Sequence, residues 1–494
     1  MKRASIAATF ASLLCLASAS AQQGFDRPPP PAEAQPLVVP ATGQTKLPNG
    51  FGVAVAERRG LPLATALLQI DAGSLLDPPG KAGLASLATT VMGKGVRRGE
   101  LGVDAAEFAA QVEALGGMLD VSTGARASQF QLTVASHRLD EAVALLADIA
   151  RRASLPSEEL ERSRAQAVDA LKLGLSDPGT VAGLLARRLF WGETPRGQLA
   201  TVSSLQRIRR DDLLAFQRQQ LRPDRAALVV AGDIDLAQAR ALAERHFGDW
   251  KQNRMLAPQA PASASKPMSA PFVLLDLPGA GQSAVVVAAP YAPLGNEPEQ
   301  RAALIAGAVA NGVLGVGYSS RINQEIRIKR GLSYGASSGA ELLPAAGMLI
   351  ASAQTKHESA GEVALLLQAE LQRLAAEPVG APELAARQAL LIGEFGRELE
   401  TTAGLAGVVA DQLQRGRALA ELQRLPDELQ AVDAVRVQDF ATRFWSAAAA
   451  QRIAVVADLK AAGPALRKQF PQALVIRADE LDLGSPSLRR GVKR

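Results

Sequence analysis

The 494-residue chain holds a single cysteine, Cys15, and three histidines. Cys15 sits in an apolar N-terminal stretch that is expected to be removed. The mature chain then forms no disulfide, offers no thiolate to a metal and has no cysteine nucleophile. Ser12, Leu13 and Leu14 ahead of Cys15 do not give a lipidation pattern. His137, His246 and His357 are too scattered to make a ligand pair one helical turn apart. Aromatic residues are 4% of the chain, and the formal net charge is only +5, or +3 without Lys2 and Arg3. Neither the charged stripe nor the stacking platform of a nucleic-acid binder is present, which excludes nucleic acid as the main partner.

What is present begins with MKRASIAATFASLLCLASASA: two cations, an apolar run and an A-x-A end at Ala19 to Ala21. This reads as a secretory signal peptide over residues 1–21, cleaved before Gln22, and the expected location is the periplasm. The run is too short for stable membrane insertion. Residues 22–44 are rich in Pro, Ala and Gln, with Pro28 to Pro31 consecutive, and read as an extended arm.

Ordered structure is expected from about Leu47. Turn and alternation signals give strands at 51–57, 62–72, 118–123, 128–136 and 226–231. Apolar residues at helical spacing give helices at 82–92, 104–115, 139–153, 158–173, 181–190, 209–220 and 236–247. Residues 253–271 have linker composition. Strands at 272–277 and 283–289 and a helix at 298–313 then open a second half. The helix, break, strand and aspartate ending at Asp233 recur at Asp458, 225 residues later. Repetition of a whole unit at this spacing predicts two homologous α+β domains, 45–252 and 272–480, followed by a C-terminal tail at 481–494.

The helix after Gly73-Ser-Leu-Leu-Asp-Pro-Pro-Gly80 carries the sequence Ser86-Leu-Ala-Thr-Thr90. The second half contains GVLGVGYSSRINQEIRIKRGLSYGASSG, residues 312–339. It joins a glycine-rich stretch to Ser319-Ser320-Arg321-Ile322, with Arg327 and Tyr334 seven residues apart. In these features, and in the order of elements from 45 to 480, the chain resembles the M16 zinc peptidases. The resemblance implies two α/β-sandwich-like domains forming half of a clamshell.

In active M16 members the first-half helix carries H-x-x-E-H, whose imidazoles ligate zinc and whose carboxylate serves as base. Here Ser86, Thr89 and Thr90 stand at those positions, a degenerate motif of poor ligands and poor bases. The third ligand, a glutamate, falls at Ala170, beside Asp169. No metal is therefore expected in this chain.

Some bacterial relatives divide the work between two subunits, and the resemblance places this chain with the subunit that lacks the motif. It implies a heteromeric partner with an intact H-x-x-E-H motif and its own zinc. It also implies catalytic assistance from Arg327 and Tyr334, a substrate chamber near Ser319, Ser320 and Arg321, and peptides or unfolded segments as substrate. Such a chain would be inactive alone. The alternative is an inert peptide-binding or assembly protein. Two further readings fail on the sequence. The glycine-rich segment 307–317 lacks the G-K-[ST] of a nucleotide loop, and no Ser, Asp and His fall into one plausible site.

Overall fold

The computed structural model describes residues 37–251 and 266–490. The expected signal peptide, nearly all of the arm and most of the linker lie outside the described residues. In the first half β1 (Thr42–Lys46), β2 (Gly52–Glu57), β3 (Leu63–Ile70), β6 (Leu119–Thr123), β7 (Ser128–Ala135) and β8 (Ala226–Gly232) form one sheet, in the order β1-β2-β8-β3-β7-β6. A short hairpin, β4 (Val96–Arg98) and β5 (Leu101–Val103), stands apart from it.

In the second half β9 (Phe272–Asp276), β10 (Ser283–Tyr291), β11 (Ala336–Leu342), β12 (Gly347–Thr355), β13 (Arg452–Ala457) and β14 (Leu474–Arg477) form the other sheet, in the order β11-β12-β10-β13-β9-β14. Five strands of each sheet correspond: β2-β8-β3-β7-β6 repeats as β9-β13-β10-β12-β11. The parallel pairs correspond too, β2 with β8 and β9 with β13. Only the outermost strands differ, since β1 runs antiparallel to β2 whereas β14 runs parallel to β9. The internal repeat and the α+β class read from sequence are thus the architecture of the molecule.

Central strands are buried on both faces, which is why Ala226–Gly232 and Arg452–Ala457 read as nearly continuous apolar runs rather than alternations. One face of each sheet packs on helices of its own half. In the first half Leu228 and Val230 join Val143, Leu146 and Phe247 there. The opposite faces are covered by exchange. Helix Pro178–Trp191, from the first half, packs on β10 and β13 of the second sheet. Its Val181, Leu185, Leu189 and Trp191 meet Val273, Val286 and Val456. Helix Thr402–Gln414, from the second half, packs on β2, β3 and β8 of the first sheet, where the Thr65 and Thr402 hydroxyls bond at 2.9 Å.

This exchange departs from a division at 252, because residues 178–191 belong by packing to the second sheet. Two other expectations are corrected. Order begins before Leu47, since Thr42 to Lys46 pair with Ala56 to Gly52. The polar stretch 42–46 offers no apolar alternation to read. Residues 481–490 are not a free tail: Leu483 and Leu488 are buried in the core shared with helix Pro178–Trp191, and Leu481 bridges to Arg489.

Candidate functional site

The motif helix spans Leu84–Met92, starting two residues later than expected because Gly83 takes a φ of 100°. Its N-terminus is held from a distance in sequence. Asp77 accepts from the Gly83 N–H at 2.7 Å and the Ala85 N–H at 2.8 Å. A carboxylate satisfying bare amides at a helix start is a favourable arrangement. Burial nevertheless pushes the Asp77 carboxyl up to about 6, against those donors. In the sequence Asp77 reads only as part of a turn. Its distance from the first helical turn hides it from any local capping pattern.

Leu84, Leu87, Ala88 and Val91 fill the first-half core. Ser86 is exposed and Thr90 half-buried, while Thr89 is fully buried. The Thr89 hydroxyl bonds the Ala85 carbonyl and the Ser128 hydroxyl, each at 2.7 Å, and Ser128 in turn donates to the Ala72 carbonyl at 2.7 Å. The place of the catalytic carboxylate is therefore a packed knot of hydroxyls joining helix to sheet.

Helix Ser157–Gly174 packs against the motif helix. Its Ala170 is exposed, and Asp169 faces Lys172 at 3.4 Å. Among the described residues no group of three or more His, Cys, Asp or Glu is placed to hold a metal. The groups at the ligand positions, the Ser86 and Thr90 hydroxyls and the Ala170 methyl, do not fit zinc. Two of the histidines are engaged elsewhere: His246 Nε2 lies 3.2 Å from Asp140 Oδ1, and His357 lies 2.8 Å from both Ser283 Oγ and the Ala280 carbonyl.

The second-half signature separates into structural and exposed parts. Ser320 is fully buried at the start of the short helix Arg321–Asn323. Arg321 is buried and forks onto Glu383 with two bonds of 2.9 Å. Burial withdraws both residues from the expected chamber surface, and Arg321 locks this turn to helix Ala381–Glu398. Ser319 is exposed but accepts from Arg387.

A π-turn follows over Gln324–Ile328, closed by the Lys329 N–H on the Gln324 carbonyl at 2.9 Å. It carries Arg327, whose guanidinium carbon lies 4.9 Å from the centroid of the exposed Tyr318 ring. Such turns interrupt helices where a side chain must be re-aimed. Asn323, which the sequence does not single out, fastens the unit by donating to the Tyr318 carbonyl at 2.5 Å and accepting from the Ala336 N–H at 3.2 Å.

Tyr334, just ahead of β11, is 89% exposed. It lines a cavity of about 610 Å³ with Asp177 and Gly179 of the first half and Gln354 of β12. A β-carbon at Gly179 would stand 2.5 Å from Gln354 Nε2 and would turn the end of that side chain aside.

A duplicated α/β scaffold, with hydroxyls and a methyl at the ligand positions of one half and a half-buried arginine and an exposed tyrosine in the other, defines a peptidase-type fold with no metal-holding cluster among the described residues. Residues 53–173 match the family described as Insulinase (Peptidase family M16), and residues 207–391 match the Peptidase M16 inactive domain; together they span more than half of the chain.

The chain is 24% identical over 405 residues to a zinc protease of Streptomyces coelicolor, covering 79% of this chain and 86% of the relative. It is 24% identical to a non-peptidase homolog, YmxG, of Helicobacter pylori over 426 residues, 83% of this chain and 91% of that one. With the mitochondrial-processing peptidase subunit beta of Caenorhabditis elegans it shares 28% identity over 239 residues, 47% of this chain and about half (51%) of that subunit.

The fold matches the crystal structure of a protease from Helicobacter pylori with a TM-score of 0.76 at 18% identity, covering 85% of this chain and 100% of that one. It matches a peptidase M16 inactive domain from Pseudomonas fluorescens with a TM-score of 0.73 at 21% identity, covering 84% and 98%. The chain belongs to the M16 peptidase family.

Proposed function

We propose that this chain is the non-metal subunit of a periplasmic heteromeric zinc peptidase, contributing Arg327 and Tyr334 to hydrolysis of extended peptides held against a partner that carries H-x-x-E-H. The observation that carries the reading is the exposure of Tyr334 at the mouth of a cavity, in a chain whose own ligand positions hold only hydroxyls and a methyl. An exposed phenol on a fixed loop suits a hydrogen-bond donor to a peptide carbonyl oxygen as charge develops there. Arg327, over the Tyr318 ring, carries guanidinium donors suited to peptide carbonyls. The zinc, its water and the base would belong to the partner.

The test is copurification of the tagged native chain, followed by peptide cleavage assays on the recovered complex. Tyr334→Phe and Arg327→Ala are expected to leave assembly intact and to lower kcat by about 10²- to 10³-fold for the tyrosine. Full activity of the double variant would remove the catalytic role. The similarity to a non-peptidase homolog favours a second reading, a peptide-binding or assembly protein. Under that reading the complex is recovered and both variants cleave as the wild type does, or no cleavage occurs at all.

A further inference from the structure

Tyr334 is 89% exposed, so packing around its ring does not fix its place. A donor to a developing oxyanion is effective only when it is held in position before the charge appears. The burden falls on the backbone from Leu332 to Ala336, whose ends lie two residues to either side of the tyrosine.

At the near end the Thr355 hydroxyl donates to the Leu332 carbonyl at 2.5 Å. Thr355 is the last residue of β12, is buried, and is paired through its backbone with Ser283 of β10. Gln354, one residue earlier, lines the cavity with Tyr334. Strand alternation turns Thr355 to the opposite face, where Leu332 packs against the second-half core. The branched β-carbon restricts the Thr355 rotamer, so the hydroxyl is a fixed hook. The Leu332 N–H in turn donates to the Ile326 carbonyl at 2.8 Å, inside the π-turn that carries Arg327.

At the far end the Ala336 N–H donates to the buried Asn323, whose amide also donates to the carbonyl of Tyr318, the residue whose ring lies under Arg327. Between the two ends Ser333 Oγ donates to the Gly335 carbonyl at 2.7 Å and accepts from the Gly335 N–H at 3.1 Å. Neither Thr355 nor Asn323 lines the cavity. Each grips the backbone on one side of Tyr334, and the same backbone is bonded to the turn of Arg327.

We propose that Thr355 and Asn323 are positioning residues, which hold Leu332 and Ala336 and thereby set Tyr334 at a fixed place relative to Arg327. The inference rests on the reading of Tyr334 as a donor given above, and one arm of its test runs without a partner or a substrate. Replacing the single cysteine by Cys15→Ser and adding Tyr334→Cys leaves one thiol in the full chain for a nitroxide label.

In the spin-resonance spectrum, Thr355→Val, which keeps the side-chain shape without the hydroxyl, is expected to shorten the rotational correlation time of the label about twofold or more. Thr355→Ser should retain the parent spectrum, and Asn323→Ala should loosen the label as the valine does. The second arm is cleavage by the recovered complex with Tyr334 in place. There Thr355→Val should lower kcat about tenfold with KM changed less than about twofold, and Thr355→Ser should restore it. A purely structural role would lower the yield of complex and leave kcat per complex as it was. Spectra unchanged by both Thr355→Val and Asn323→Ala overturn the proposal, as does wild-type kcat in Thr355→Val where Tyr334→Phe is slow. A loosened label together with full activity of Tyr334→Phe would remove the catalytic reading and leave the anchoring in place.

Discussion

Asp77 carries the clearest residue-scale consequence. Its carboxyl sits at about 6 because burial outweighs the three backbone N–H groups of Ala85, Gly83 and Leu84 that favour its charge. The folded chain therefore holds this proton more tightly than the unfolded chain, whose carboxyl titrates near 3.8. The stability Asp77 contributes is complete below pH 4 and is lost as pH rises through about 6. A displacement of that size corresponds to about 3 kcal/mol. In urea unfolding from pH 4 to 7, Asp77→Asn is expected to remove that loss and flatten the profile relative to wild type. Parallel profiles for the two proteins would refute the assignment. Arg321 and Ser320 teach a related lesson: both signature residues are buried, and Arg321 spends its guanidinium on Glu383.

At the scale of the element, the motif helix keeps its packing while its chemistry has been replaced. Ser86 and Thr90 lie on the accessible side, so Ser86→His with Thr90→His is expected to bind zinc weakly without unfolding the chain. Adding Thr89→Glu should differ. That position is fully buried and committed to Ala85 and Ser128, and an unpaired carboxylate there should cost about 3 kcal/mol or more. Zinc titrations and thermal melts of the double and triple variants check both halves of the statement. A triple variant as stable as the double would show that the knot of hydroxyls yields easily.

Elements with strong periodicity are legible from the sequence. β7 alternates buried and half-buried residues along its length, and the helix Leu236–Phe247 has the bounds its apolar spacing predicts. The polar edge strand β1 and the π-turn carrying Arg327 are not legible, because neither has an apolar period. The positions Ser86, Thr89 and Thr90 are picked out only through the family resemblance, since hydroxyls on a helix announce no site by themselves. The cavity beside Tyr334 is not, because Asp177 and Gly179 reach it from the other half.

At the scale of the molecule, the exchanged helices bind the two halves into one thermodynamic object. The apolar run Val181 to Trp191 announces burial but cannot say against which sheet, and the answer is the opposite one. Separately produced segments 45–252 and 272–480 would each leave a sheet face bare and a helix unpartnered. The full chain is accordingly expected to melt in a single calorimetric transition, with each segment alone soluble only at low concentration or aggregated. Two resolved transitions, or two well-folded segments, would contradict the exchange as a source of cohesion.

The same exchange bears on biosynthesis. The last strand of the first sheet ends at Gly232, yet the helix that roofs its outer face ends only at Gln414, roughly 180 residues and about ten to forty seconds of translation later. Until then the outer face of the first sheet stays uncovered on the nascent polypeptide, an apolar surface open to chaperones while the first core beneath it can already form.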